Sequence, residues 1–298
     1  MNNYKKIKLK DIDSFKNHPY KVENDDSIKE LANSIKENGL INPLIVRQKE
    51  NGRYELISGH RRKLVLELNG DKETEVNIKD LTDDEAIIFM VDSNMQREKI
   101  LPSEKAYAYK MKYEALKHQG KKVKTLDPEG LNLNTTEKIG LDFGESATNV
   151  KRYIRLTYLI PELLELVDNT VKYDGRTTLT MGIKPAVEIS YLSKDNQRLL
   201  YEAIDYNQAT PSHAQSIKIR NMEKNNLLNE DVLDSILTEE KGNQRDQIAF
   251  NKDKLVSVLP PELLKRDKRY VEQYIVDAIS FYSKSKNIER GDAYDLDV

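Results

Sequence analysis

Two arginines follow a glycine and a histidine at a predicted strand–helix junction within the stretch Glu55–Gly70. The residues before Gly59 alternate as in a strand, and the leucine- and valine-rich segment after it predicts a helix. A helix that begins there directs free backbone N–H groups and a partial positive charge to one point. Arg61 and Arg62 at that point suit a phosphate or a carboxylate. The sequence therefore indicates an anion site, and a pair of solvated arginines on an ordinary helix is the alternative.

A second informative stretch runs from Thr135 to Leu159. It predicts a short helix, a turn at Gly144 and a second helix capped by a serine. The second helix has an apolar inner face and a polar, basic outer face, whose residues are Ser146, Thr148, Asn149, Lys151, Arg152 and Arg155. These residue types contact phosphates and base edges. The pattern favours a DNA-binding helix-turn-helix, with an ordinary helical hairpin as the alternative.

The elements around the first site alternate between strand and helix. Leu44–Val46 is typical of a buried strand, and Asn51-Gly52 predicts a hairpin turn after it. Ser27, with Glu30 three residues later, has the spacing of a capping box, and so has Thr82 with Glu85. From Pro102 onward the patterns are helical. The fold class predicted is an α+β N-terminal domain, followed by an all-α helix-turn-helix domain and a small helical C-terminal unit.

These patterns also predict domain boundaries. Residues 1–100 would form the N-terminal domain that holds the anion site, and residues 101–225 the helical DNA-binding domain, with its helix-turn-helix at about 135–159. The polar, charge-rich stretch 226–245 is interpreted as a linker. Residues 246–298 would form the helical C-terminal unit.

Composition excludes several classes of protein and site. The 298 residues include no cysteine, which excludes disulfides, thiolate metal sites and a cysteine nucleophile. The four histidines are scattered, which argues against a histidine-built zinc site. No apolar run is long enough to span a bilayer, and the start lacks the apolar core of a signal peptide. We therefore expect a cytoplasmic protein that makes no membrane contact. The net charge of -2 requires any nucleic-acid contact to come from local patches.

Taken in order, the motifs resemble those of the ParB family of DNA-partition proteins. The resemblance covers roughly residues 5–220, including the helix-turn-helix. It is carried by Gly39–Val46 (GLINPLIV), Ser58–Arg62 (SGHRR), Ser93–Glu98 (SNMQRE) and Thr180–Gly182 (TMG).

The resemblance implies a mechanism and a set of residues. ParB-like N-terminal domains bind CTP with Mg²⁺, and many hydrolyse it slowly. DNA binding closes a homodimer into a sliding clamp, and a ParA-like ATPase moves the DNA. By position, the nucleotide-binding residues would be Gly39, Pro43, Ser58, Gly59, His60, Arg61, Arg62, Asn94, Arg97 and Glu98. Asn94 would also lie near the Mg²⁺.

Two positions depart from the family pattern, and other functions stay open. His60 and Ser93 stand where the family usually has glutamate, and serine is a poorer ligand for Mg²⁺ than a carboxylate. These changes favour an alternative, a DNA-binding transcriptional regulator of a mobile element without a CTP cycle. Another alternative is a small-molecule kinase on the same N-terminal fold. The sulfiredoxin chemistry of that fold needs a cysteine and is excluded.

Overall fold

The computed structural model describes residues 3–22, 25–97, 99–120, 134–172, 179–239, 258–263 and 268–285. Glu98, which the sequence predicts as a site residue, lies outside the described residues, as does much of the predicted C-terminal unit. The chain divides into two compact units, residues 1–239 and 240–298. Among the described helices, none is long and apolar enough to cross a membrane.

A five-stranded mixed sheet forms the N-terminal part of the first unit, with strand order β1-β5-β3-β4-β2. The strands are β1 (Asn3–Lys8), β2 (Ile12–Asp13), β3 (Leu44–Gln48), β4 (Tyr54–Ser58) and β5 (Glu73–Ile78). β3 and β4 are antiparallel, which confirms the hairpin predicted from Asn51-Gly52. β3 pairs with β4 on one side and, in parallel, with β5 on the other. It therefore lies inside the sheet, and its Leu44 and Val46 are fully buried.

Three helices accompany the sheet: α1 (Asp26–Asn38), α2 (His60–Leu68) and α3 (Asp83–Asn94). The capping box predicted from Thr82 and Glu85 is confirmed at the start of α3. The one predicted from Ser27 and Glu30 is wrong. Asp25 is the N-cap of α1, and its carboxylate accepts the Ile28 N–H at 3.0 Å. The carboxylate takes the capping position, and the Ser27 hydroxyl donates to it while accepting from the Arg61 guanidinium.

The rest of the first unit is helical, which confirms the predicted fold class. The helices are α4 (Pro102–Gly120), α5 (Thr135–Phe143), α6 (Ala147–Leu156), α7 (Pro161–Lys172), α8 (Ile183–Ile189), α9 (Lys194–Asn207), α10 (His213–Lys224) and α11 (Glu230–Thr238). The prediction of a linker is wrong for α11. Leu233, Ile236 and Leu237 are buried in the same hydrophobic core as α7 and α9. Their apolar stripe is covered by these helices, so this polar stretch folds as part of the first unit.

The second unit contains α12 (Lys268–Ser285). Large apolar side chains on this helix are exposed, including Ile279 at 55% and Phe281 at 76%.

Candidate nucleotide and DNA sites

The turn between β4 and α2 requires a glycine. Gly59 has φ +107°, in the left-handed region. A Cβ atom at this position would lie 2.7 Å from Leu44 Cδ2 and 3.1 Å from Arg62 Nη2. The turn therefore brings the start of α2 tightly against the buried strand β3, with the N-terminal N–H groups of α2 at the junction.

The two arginines at this junction have different surroundings. The Arg62 guanidinium donates to the backbone carbonyls of Asn42 and Pro43, the latter at 2.9 Å. Burial lowers the pKa of Arg62. These bonds fasten the loop before β3 onto α2. Arg62 is thus a tether for the loop that the sequence assigns to the nucleotide pocket.

Arg61 faces open space. Its guanidinium donates to the Ser27 hydroxyl at 2.5 Å and lines a cavity of about 950 Å³. The same cavity is lined by Arg97, and further cations around it are Lys21, Lys99 and Lys172. Its carboxylates are Asp25 and Glu104, of which Glu104 accepts from the Lys21 and Leu101 N–H groups. The surplus of cations makes this cavity suited to an anionic ligand.

His60 is packed against another histidine. The ring centroids of His18 and His60 are 3.7 Å apart, and within the described chain neither buried Nε2 atom has a hydrogen-bond partner. Burial, with smaller contributions from His18 and Arg97, lowers the pKa of His60 to about 3. The imidazole is therefore neutral near pH 7 and adds no positive charge to the anion site.

The remaining candidates of the first two motifs shape the backbone. Gly39 ends α1 with φ +70°, and a Cβ there would meet open space. Pro43 offers its carbonyl to Arg62. Ser58 is the last residue of β4 and pairs with Ile45 of β3. Their positions place both motifs where β3 starts and β4 ends, beside the start of α2.

The third motif lies at the end of α3. Asn94 is 6% exposed, and its amide group donates to the Met90 carbonyl at 2.8 Å. The Arg97 guanidinium lies 5.1 Å from the centroid of the Tyr20 ring. In the described part of the chain, no group of three His, Cys, Asp or Glu residues could hold a metal ion. One buried amide does not provide the charged oxygens that Mg²⁺ prefers, so these residues do not fit a protein-built magnesium site.

α5 and α6 form the predicted helical pair. Asn134 caps α5 in a capping box with Glu137, and the Ser146 hydroxyl caps α6, as its sequence position predicts. Gly144 ends α5 with φ +67°. Sequence reasoning missed Gly140, where a Cβ atom would collide with the backbone carbonyl of Glu145. A glycine inside a nine-residue helix was the available signal for this close approach.

Five of the six predicted DNA-contacting residues fall into two groups. Thr148 and Lys151 are exposed on α6, and the exposed Ser146 stands at its start. Asn149 and Arg152 are half-buried and bonded to each other at 3.2 Å, and Asn149 also donates to Glu145 at 3.0 Å. The exposed residues are accessible to a ligand, whereas the side chains of the second group bond each other and the turn at Glu145.

Arg155 is held inside the helical domain. Its guanidinium donates to the hydroxyl and the carbonyl of Ser190 at 2.9 and 2.7 Å. It also lies 4.5 Å from the ring centroid of Tyr158 and 3.9 Å from that of Tyr191. These contacts hold α6 against the turn after α8.

Residues 1–95 match the model of the ParB N-terminal domain. This match confirms the resemblance to the ParB family that the motifs indicate.

Curated relatives extend the likeness into the helices. The chain is 34% identical over 161 residues to the chromosome-partitioning protein Spo0J of Thermus thermophilus, covering 54% of this chain and 53% of that relative. It is 30% identical over 161 residues to a nucleoid occlusion protein of Geobacillus sp., covering 54% and 52%. The chain thus spans about half the length of the curated relatives it matches.

Two solved structures are also similar. A pNOB8-like ParB-N domain aligns with TM-score 0.45 and 19% identity, over 80% of this chain and 98% of that one. A C-terminally truncated ParB from Caulobacter crescentus complexed to the centromeric parS site aligns with TM-score 0.40 and 17% identity, over 79% and 100%.

Proposed function

We propose, from the premise that residues 1–95 form a ParB N-terminal domain, that this chain is a DNA-partition protein that binds CTP and duplex DNA. The observation that carries the proposal is the Arg61 cavity, which adjoins the start of α2. There the Arg61 and Arg97 guanidinium groups line a space of about 950 Å³, and Arg61 lies in the first turn of α2, where the positive end of the helix and its N-terminal N–H groups are. A triphosphate needs such a combination of cations and backbone donors.

The DNA site in this proposal is the exposed outer face of α6. Thr148, Lys151 and Ser146 would meet phosphates and base edges, while Asn149, Arg152 and Arg155 hold α6 in position. Lysine at a phosphate acts as a point charge, and hydroxyl groups donate to phosphate oxygens. The proposal includes a homodimer. The exposed apolar residues of α12 offer it a surface, and a ParA-like ATPase is the expected partner.

A second function is favoured by specific observations. Neutral His60 adds no charge to the anion site, and the described residues do not fit a protein-built magnesium site. Both observations favour a DNA-binding regulator of a mobile element that has no CTP cycle. If the chain is a partition protein, Mg²⁺ would bind together with CTP and not at a site built by the described residues alone.

Cross-linking separates the two functions. The chain has no cysteine, so single cysteines placed at exposed positions of residues 3–97 give a clean background. We expect CTP with Mg²⁺ and a duplex selected from a random library to increase cross-linking between copies, because nucleotide-driven closure brings the N-terminal domains together. Cross-linking that stays unchanged while DNA binding persists identifies the regulator.

Arg61→Ala is expected to weaken CTP binding by at least about tenfold, because it removes a charge-assisted donor from the cavity. Isothermal titration with CTP, ATP and GTP measures this loss. The melting temperature should stay close to that of the wild type, since the Arg61 guanidinium donates its hydrogen bond to an exposed serine, Ser27. Wild-type affinity in the variant would refute the phosphate role of Arg61.

Lys151→Ala and Arg155→Ala are expected to weaken DNA binding by different routes. Loss of exposed Lys151 should reduce the slope of log affinity against log salt by about one and leave stability unchanged. Loss of Arg155 should lower the melting temperature, because it removes two hydrogen bonds and two ring contacts. DNA titrations at several salt concentrations and thermal unfolding distinguish them. An unchanged salt slope in Lys151→Ala contradicts the assignment of α6.

A further inference from the structure

Lys112 on α4 is a buried cation between two carboxylates. It is 2% exposed, and its ammonium group bonds Asp92 at 2.7 Å and Asp142 at 2.6 Å. The ammonium also lies 4.4 Å from the ring centroid of Phe143. A buried ammonium without a partner is costly, so the position of this group depends on both carboxylates.

These three charged residues join parts of the chain with different tasks. Asp92 lies on α3, two residues before Asn94 and five before Arg97. Asp142 lies on α5, the first helix of the helix-turn-helix. Lys112, on the helix between them in the chain, is thus the ionic link from the nucleotide motif to the DNA-binding pair.

The space around this link reaches the candidate nucleotide site. Asp92 and Asp142 both line a cavity of about 730 Å³, whose wall also contains Gln96 and Arg97. The same two residues, Gln96 and Arg97, line the Arg61 cavity. A ligand that engages Arg97 therefore acts on the segment that directly follows α3, the helix that carries Asp92.

We propose that Lys112 is a positioning residue that couples occupancy of the Arg61 cavity to the position of α5. The inference rests on the proposed function and adds its regulation. When the end of α3 shifts, Asp92 shifts with it, and Lys112 can follow only by weakening its bond to Asp142. That change alters how firmly α5 is held. Each ligand therefore biases the same arrangement of α3, α4 and α5. By linkage, DNA changes the affinity for CTP by the same factor as CTP changes that for DNA.

The test is the ratio of CTP affinities, with Mg²⁺ present, measured with and without a duplex selected from a random library. We expect a ratio different from one in the wild type and close to one in Lys112→Met. Methionine keeps the apolar stem against Phe143, and the two carboxylates, 46% and 41% exposed, can be hydrated. Each ligand alone should still bind Lys112→Met with nearly wild-type affinity.

The matched control is Arg47→Met. Arg47 is a buried cation between Glu55 and Asp83, and all three lie within the N-terminal part. We expect Arg47→Met to lose stability and to keep the wild-type ratio, which shows that lost stability alone does not remove the coupling. A wild-type ratio in Lys112→Met overturns the inference.

Asp142→Asn keeps the test valid if Lys112→Met does not fold. It removes the negative charge of only the α5 partner, at a half-exposed carboxylate, and is also expected to bring the ratio close to one. If the wild-type chain binds both ligands but its ratio of CTP affinities is one, the inference is overturned and the proposed function stands. A chain that binds neither ligand overturns the proposed function as well.

Discussion

Gly59→Ala is expected to lower the free energy of unfolding by about 2–5 kcal/mol and to abolish CTP binding. A left-handed backbone costs a residue with a Cβ atom about 1–2 kcal/mol. The new methyl group would also press on Leu44, which is fully buried, and on the Arg62 guanidinium. Relief of this contact moves the start of α2 away from β3, and with it the N–H groups proposed to hold the phosphates.

Gly70→Ala is the control for the backbone strain. Gly70 has φ +79°, and a Cβ atom there would meet nothing within 4 Å. Its substitution should cost about 1–2 kcal/mol and leave CTP binding intact. Denaturant titration gives both free energies, and calorimetry gives the CTP affinity. Equal losses of stability in the two variants would show that the close approach at Gly59 is unimportant.

The features that the sequence predicted correctly are local ones. Asn51-Gly52 specifies its hairpin because the turn needs a residue that accepts positive φ, and Gly52 has φ +80°. Thr82 and Glu85 specify the start of α3 because the side chain of each residue accepts a hydrogen bond from the backbone N–H of the other. The Ser146 hydroxyl specifies the start of α6 because it accepts a hydrogen bond from the backbone N–H of Asn149. In each case the deciding contacts lie within four residues along the chain, so residue types and spacing contain the answer.

Features decided by distant contacts were not readable from the sequence. Arg61 and Arg62 are adjacent and chemically identical, yet one lines a cavity and the other binds the loop at Asn42. Arg155 has the spacing of a DNA-contacting residue, but Ser190, far along the chain, takes its hydrogen bonds. α11 lies in a polar stretch, and it is its packing against α9 that makes it part of the first unit and not a linker.

The same reasoning gives the second large effect, which is at Gly140. Gly140→Ala is expected to weaken DNA binding by more than about tenfold while CTP alone still binds, because the clash lies in the turn before α6. The added methyl group would collide with the Glu145 carbonyl. It would also displace the Glu145 N–H, which donates to the Gly140 carbonyl at 2.7 Å. Glu145 in turn bonds Lys105 on α4 and Asn149 on α6, so the shift reaches both neighbouring helices.

Gly144→Ala separates this collision from simple strain in the turn. Gly144 has φ +67° and open space around its missing Cβ, so its substitution strains the turn without a clash. DNA titrations of both variants, with CTP calorimetry on each, make the comparison. We expect a clear loss of DNA affinity only for Gly140→Ala. If the two variants lose DNA affinity equally, the close packing of Gly140 on Glu145 does not set the position of α6. If neither loses it, DNA does not bind through this helical pair.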